Sequence, residues 1–299
     1  MSAVAATVNE SVPNGKVINL YYNTANAQAA LSLRAGDYSG DDQSKFWAAD
    51  INDYSGYILS PSEMATCTFR GINIVAAMTI PKSNNSSPAT TNNISLVAPV
   101  YQRLTSTDLA NKKVSMCSTG DKAWIYYLSG AAKGQVTLKE YDLVSGNNST
   151  YLQYQDVSLN SSLAAWYNTK CAQRSVVYQE LLQNHLKEFN VTGGQSTDIE
   201  STGNAKPLTS MAVTYYDGKA YLYYTDNSNN LCRVIKDGSV DNDDRGWGDY
   251  KIFEGSPKVA TDSQLTVSSS HGINHIFYVS TDDILNFTHV RDSVEQELH

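Results

Sequence analysis

Few side chains in this 299-residue sequence keep the company that catalysis usually needs. No GxSxG elbow, phosphate-cradling glycine loop or GxGxxG occurs, so acyl transfer and nucleotide chemistry lack their usual parts. His271 and His275 have the spacing of a metal pair on a helix, but Gly272 lies between them and both flanks read as strand. On a strand the two rings diverge, so the pair is read as structural. The acidic stretch from Asp237 to Asp249 imitates a calcium loop, yet with Asp241 as its first ligand Ile252 stands where the twelfth-position Glu belongs. It is read as a solvated loop, and neither a metal nor another cofactor is expected.

Aromatic chemistry is what remains. Tyrosine dominates with 20 residues against 6 Phe and 4 Trp, which favours surfaces offering flat apolar faces together with phenolic donors. Such a surface suits sugars and polycyclic small molecules alike. Trp124, Tyr221 and Trp166 are the candidates for stacking on a ligand, and Tyr126 and His275 for donating hydrogen bonds to it.

These residues belong to a repeat. A small, apolar first segment recurs as SAVAATV (Ser2 to Val8), EMATCTF (Glu63 to Phe69), KVSMCST (Lys113 to Thr119), SLAAWYN (Ser162 to Asn168), SMAVTYY (Ser210 to Tyr216) and QLTVSSS (Gln264 to Ser270). An aromatic second segment follows: NLYYN from Asn19, NIVAAM from Asn73, WIYYL from Trp124, SVVYQ from Ser175, YLYYT from Tyr221 and HIFYV from His275. A mixed third segment completes it: ALSLR from Ala30, NISLV from Asn93, VTLKEY from Val136, HLKEF from His185, LCRVI from Leu231 and ILNFT from Ile284. A period of about fifty residues is the span of one four-stranded propeller blade. Small first segments suit the crowded strand nearest an axis. The reading is therefore all-β: a six-bladed β-propeller in a single domain over residues 1–299, with blade units beginning near 2, 63, 113, 162, 210 and 264.

Outer strands are expected at YSGYILS from Tyr54, TYLQYQD from Thr150 and DYKIFEG from Asp249, with that of the sixth unit weak or missing. Period-two alternation in the second segment puts Leu20, Ile74, Ile125, Val176, Leu222 and Ile276 in one column, read as blade-to-blade core. The opposite column holds Asn19, Asn73, Trp124, Ser175, Tyr221 and His275. Its chemistry differs in every unit, so function is expected to vary there.

Composition narrows the partners. Net charge is −8 with only 17% charged residues, so no basic footprint for nucleic acid exists. No apolar run is long enough to span a membrane. Nine sequons, with N-glycans expected at some of Asn85, Asn93, Asn148, Asn160, Asn190 and Asn286, point to a secreted or lumenal protein. Four cysteines (Cys67, Cys117, Cys171, Cys232) permit two disulfides in any of three pairings.

At the repeated YY pairs (Tyr21-Tyr22, Tyr126-Tyr127, Tyr223-Tyr224) and at LKEY and LKEF, the chain resembles the fungal fucose-specific lectins. That resemblance implies a six-bladed propeller in which an Arg of the second segment and a Glu of the third clamp sugar hydroxyls beside an aromatic ring. Only Glu140 and Glu188 keep the Glu, and no unit keeps the Arg. Loss of the charged donor argues against multivalent fucose binding. The whole chain is also similar to the hetero-Diels–Alderases of fungal tropolone–sesquiterpene pathways, which have a lectin-like propeller fold. That likeness implies a cyclase joining a tropolone o-quinone methide to a humulene-type alkene, with apolar and aromatic small molecules as partners. Such chemistry asks for orientation and a hydrogen bond to the carbonyl rather than for a nucleophile. A glycan-binding lectin with degenerate sites, or a secreted interaction protein without activity, are the alternatives.

Overall fold

A computed structural model describes residues 3–9, 11, 17–37, 46–48, 57–80, 89–152, 157–237 and 246–294. Every sheet in it is antiparallel and is built from a continuous stretch of chain. Blade 1 is Val4–Val8, Ile18–Asn23, Ala29–Arg34 and Phe46–Ala48. Blade 2 is Met64–Phe69, Ile72–Ile80, Thr91–Ala98 and Gln102–Asp108, with Tyr57–Ile58 paired to Ile72–Ile80. Blade 3 is Val114–Ser118, Ala123–Ser129, Thr137–Asp142 and Asn148–Thr150, and blade 4 is Ala164–Asn168, Gln173–Gln179, Leu186–Asn190 and Gln195–Ile199. Blade 5 is Met211–Tyr216, Lys219–Thr225, Leu231–Asp237 and Lys251–Ile252. Blade 6 has three strands among the described residues: Thr266–Ser270, Ile273–Val279 and Phe287–Ser293. The chain is a six-bladed β-propeller.

The first segments are the inner strands, and their small polar residues sew the ring together. Ser115, Ser162, Ser210 and Thr266 each accept a backbone N–H from the next blade, from Ala165, Met211, Leu265 and Ala6 respectively. Gln264 reaches furthest: its Oε1 accepts from Val4 (2.8 Å) and Met64 (2.9 Å), joining blade 6 to blades 1 and 2. Glu63, buried at the same level, accepts from Lys113 and Ser162. These hydroxyls and carboxamides satisfy edge amides that no fifth strand can reach. The axial space between them is only about 70 Å³.

Three inner hairpins close on two-residue turns, Arg70-Gly71, Asp217-Gly218 and His271-Gly272, with positive φ at both positions. That is the turn whose twist matches paired strands. It also sets His271 apart from His275: His271 sits exposed in the turn, while His275 is fully buried in the strand that follows.

Several expectations change. In a propeller each sheet meets a neighbour on both faces, so the mixed column is core as much as the uniform one. Blade 2 is one residue out of the expected register: Val75, opposite Thr66, is the counterpart of Leu20 opposite Ala6 and Ile125 opposite Met116. Ile74, not Asn73, therefore occupies the mixed column, since a one-residue slip reverses every side chain. The third strand of blade 6 starts at Phe287; Ile284 and Leu285, placed in it from sequence, are exposed in the preceding turn. The stretch at Tyr54 does not close blade 1: its Tyr57–Ile58 pairs within blade 2, and Phe46–Ala48 is the outer strand.

All four cysteines are free. Cys67 and Cys117 hold equivalent places in successive inner strands, so both sulfurs point the same way around the ring, Cys67 into the core shared by blades 2 and 3 and Cys117 into that of blades 3 and 4. Cys171 is in an exposed turn and Cys232 packs between blades 4 and 5, so the expected disulfides do not form. Among the sequons, Asn93 is 4% exposed within blade 2 and has no room for a glycan, whereas Asn148 and Asn286 are exposed; Asn85 lies outside the described residues. The acidic loop falls largely outside them too, at residues 238–245. Among the described residues no helix is long and apolar enough to cross a membrane.

Candidate functional site: six unlike clefts

The blades meet in six clefts, and one position of the third strand decides the chemistry of each. It lies opposite Tyr21, Ala76, Tyr126, Val177, Tyr223 and Phe277, and is occupied by Leu31, Leu96, Glu140, Glu188, Arg233 and His289. Two apolar residues, two acids, a base and an imidazole share one structural address.

Between blades 3 and 4, Glu140 is 4% exposed and ion-paired with Arg174. Tyr151 also donates to it, at 3.3 Å. The Arg174 guanidinium lies 4.5 Å above the Trp124 ring, and Trp124 stacks on Tyr167 with centroids 6.1 Å apart. Burial works against the Arg174 cation, but the Tyr126 phenol and Glu140 carboxylate outweigh it and hold its pKa raised. Tyr126 is fully buried beside this pair, with Glu140 and Cys117 next to its hydroxyl. Burial first, then the neighbouring Cys117 and Glu140, drives its pKa far above the ordinary phenol value. It is a neutral hydroxyl at any physiological pH.

Between blades 4 and 5, Glu188 accepts from Ser175 (2.8 Å), Lys236 (2.8 Å) and the Trp247 indole (2.9 Å), and Trp166 meets Trp247 edge to face. Between blades 5 and 6, Asp292 accepts from Arg233 and Tyr223, both at 2.6 Å. Asn274 donates to the Tyr223 hydroxyl at 2.8 Å, and Tyr221 packs beside Arg233. Between blades 6 and 1, His275 and His289 share a 3.0 Å hydrogen bond, with Phe277 stacked on His289. Burial, helped by the charges of His289 and Arg291, lowers the His275 pKa to about 4.

The five residues singled out from sequence are thus all buried, and they fall in four different clefts: Trp124 and Tyr126 together, Trp166, Tyr221 and His275 each in another. They do not converge on one ligand. Sequence reasoning missed Arg174, Lys236, Arg233, His289 and Asp292. The cations Arg174 and Lys236 reach back from the following blade, so a search for Arg within the same unit passes over them. Lining up the third segments on their strand pairing, as ALSLR, SLV, KEY, KEF, CRV and THV, would have displayed the deciding position.

The cleft between blades 2 and 3 is different. Leu96 holds the deciding position, no charged pair fills the space, and a cavity of about 310 Å³ opens among Phe69, Ile72, Ile74, Leu96, Val100 and Leu143.

Comparison with known proteins places the architecture. No family model matches the chain, and no curated protein matches it by sequence. Solved structures do match. The Aleuria aurantia lectin, described as a six-bladed β-propeller with a novel fucose recognition mode, superposes with a TM-score of 0.69 at 13% identity, over 97% of this chain and 91% of that one. The SapL1 lectin in complex with alpha methyl fucoside gives 0.67 at 10% identity, over 97% and 92%. AofleA from Arthrobotrys oligospora gives 0.64 at 11%, over 97% and 82%. At these identities the likeness is one of fold, and the fold shared is the lectin-type six-bladed propeller.

Proposed function

We propose that this chain is a carbohydrate-binding propeller whose principal site is the cleft between blades 3 and 4. One observation carries the reading: an acid, a guanidinium, a phenol and an indole meet there, as Glu140, Arg174, Tyr151 and Trp124. A sugar asks for such a set, its vicinal hydroxyls answering the charged pair. The solved propellers of similar fold are fucose-binding lectins, which supports the class of ligand. Unlike clefts elsewhere in the ring argue for one or two sites rather than six.

Calorimetric titration with α-methyl fucoside, preceded by a glycan array, tests this. The array is expected to return at least one bound glycan. Glu140→Gln and Arg174→Gln are each expected to weaken it about tenfold or more, as removal of a charge-assisted hydrogen bond does. An array with no bound glycan, or binding untouched by both substitutions, overturns the reading.

A second reading, the cyclase, is favoured by the open, largely apolar cleft between blades 2 and 3. Such walls suit an apolar terpene or a tropolone-derived diene, and orientation is the main contribution the reaction asks of a protein. Incubation with a hydroxymethyl-tropolone precursor and humulenol, followed by chiral chromatography, is expected to yield one enantiomer above the protein-free background. A racemic product at the background rate rejects that pair of substrates.

A further inference from the structure

We propose that the cleft between blades 2 and 3 binds a small amphipathic anion, an apolar aromatic or branched body carrying one carboxylate or sulfonate. The inference shares its cleft with the cyclase reading but requires no turnover, and it stands apart from the sugar reading altogether.

The walls come first. Phe69 and Ile72 flank the Arg70-Gly71 turn of the inner hairpin, Ile74 and Leu96 form the floor, and Leu143 comes from the neighbouring blade. At the mouth, Ile72 is 54% and Val100 72% exposed. Branched aliphatics left open around a cavity mark a place where something apolar is received. The volume, about 310 Å³, is at the small end of the range for ligand pockets, about 300–1,000 Å³. In four other clefts the deciding third-strand position carries a charged or titratable side chain; here Leu96 puts an apolar side chain there instead.

The cation comes second. Arg70 lines the same cleft from its turn, its backbone N–H tied to the Gly120 carbonyl at 2.9 Å. Its guanidinium lies over the Phe69 ring at 5.1 Å and has no carboxylate partner among the described residues. In a chain of net charge −8, an arginine with no carboxylate partner among the described residues, at the lip of an apolar pocket, is suited to receive an anion. A ligand that buries its body among Phe69, Ile74 and Leu143 brings its acid group to Arg70, and Gln102 at the same lip supplies a further amide donor.

The test uses two fluorescent probes with one apolar body: 1-anilinonaphthalene-8-sulfonate, and uncharged N-phenyl-1-naphthylamine. The first is expected to saturate at one molecule per chain and to bind more tightly than the second. Arg70→Asn removes the charge while creating Asn-Gly, a sequence well suited to a turn with positive φ at both positions. It is expected to weaken the sulfonate probe about tenfold and leave the neutral one within about twofold. Ile72→Ser, at an exposed position, is expected to weaken both. Failure of the sulfonate probe to saturate, equal response of both probes to Arg70→Asn, or binding indifferent to both substitutions overturns the proposal. None of these outcomes bears on glycan binding, and none depends on product formation.

Discussion

Asp292→Ala is expected to destabilise the protein by about 3–5 kcal/mol in equilibrium denaturation, the largest single-site effect anticipated here. Arg233 and Asp292 face each other across the blade 5–6 cleft with side chains 4% and 5% exposed. Removing the carboxylate takes a short charged contact from a buried guanidinium, and it also deprives the Tyr223 hydroxyl of its acceptor. Burial first, then the Asp292 charge, holds the Tyr223 pKa well above the phenol norm in the intact cleft. The cost belongs to breaking the pair rather than to lacking it. An Arg233→Met, Asp292→Leu double variant is therefore expected to recover most of the loss, because a well-packed apolar pair needs no partner. A double variant as unstable as the single one would show that the network's geometry, rather than the broken charge pair, holds the two blades.

The second large effect is on acid stability. His275 has a folded pKa of about 4 against an ordinary value of about 6.5, so the unfolded chain takes up its proton first. Its contribution is intact above about pH 6.5, falls as the pH drops from there to about 4, and levels off below. The total is about 3 kcal/mol, lost at the junction where the first and last blades meet. The physical reason is plain in the geometry. His275 is fully buried, His289 sits 3.0 Å away, and Arg291 adds like charge, so a second proton on this pair has nowhere favourable to go. Stability measured across pH 7.5 to 4 in wild type and His275→Phe checks it. The variant is expected to lack this slope, whatever constant offset it carries from the lost hydrogen bond. Parallel curves would assign acid sensitivity to other groups.

The architecture was legible because the axis leaves the innermost strand of each blade almost no room. Ala5, Ala6, Ser115, Ala164, Ala165 and Ala212 are small for a reason that acts on every blade alike, and repetition makes such a reason visible. The clefts were not legible, and the cause is again geometric. Each is assembled from two faces about a blade apart in sequence, and the groups that complete it, Arg174 for Glu140 and Lys236 for Glu188, arrive from the far side. Pattern within one unit cannot report on a partner in the next. Slips compounded this: one residue at Ile74 turned a face inside out, and three residues at Ile284 hid His289 from the column that explains it. The aromatic residues chosen as ligand contacts, Trp124, Trp166 and Tyr221, do find partners, but among the protein's own side chains.

Continuity of every sheet along the chain has a consequence for how such a molecule diversifies. Because no strand is exchanged among the described blades, a substitution in one third strand alters a single cleft and leaves the hydrogen-bonded ladders of the other five untouched. Selection can therefore work on the six addresses separately, and a ring that began with identical receptors can drift into a wheel of unrelated ones. What is surrendered is avidity, which needs the same ligand to be met twice by one rigid body. What is gained is the freedom to meet two chemically different ligands at once, with the spacing between them fixed by the wheel itself.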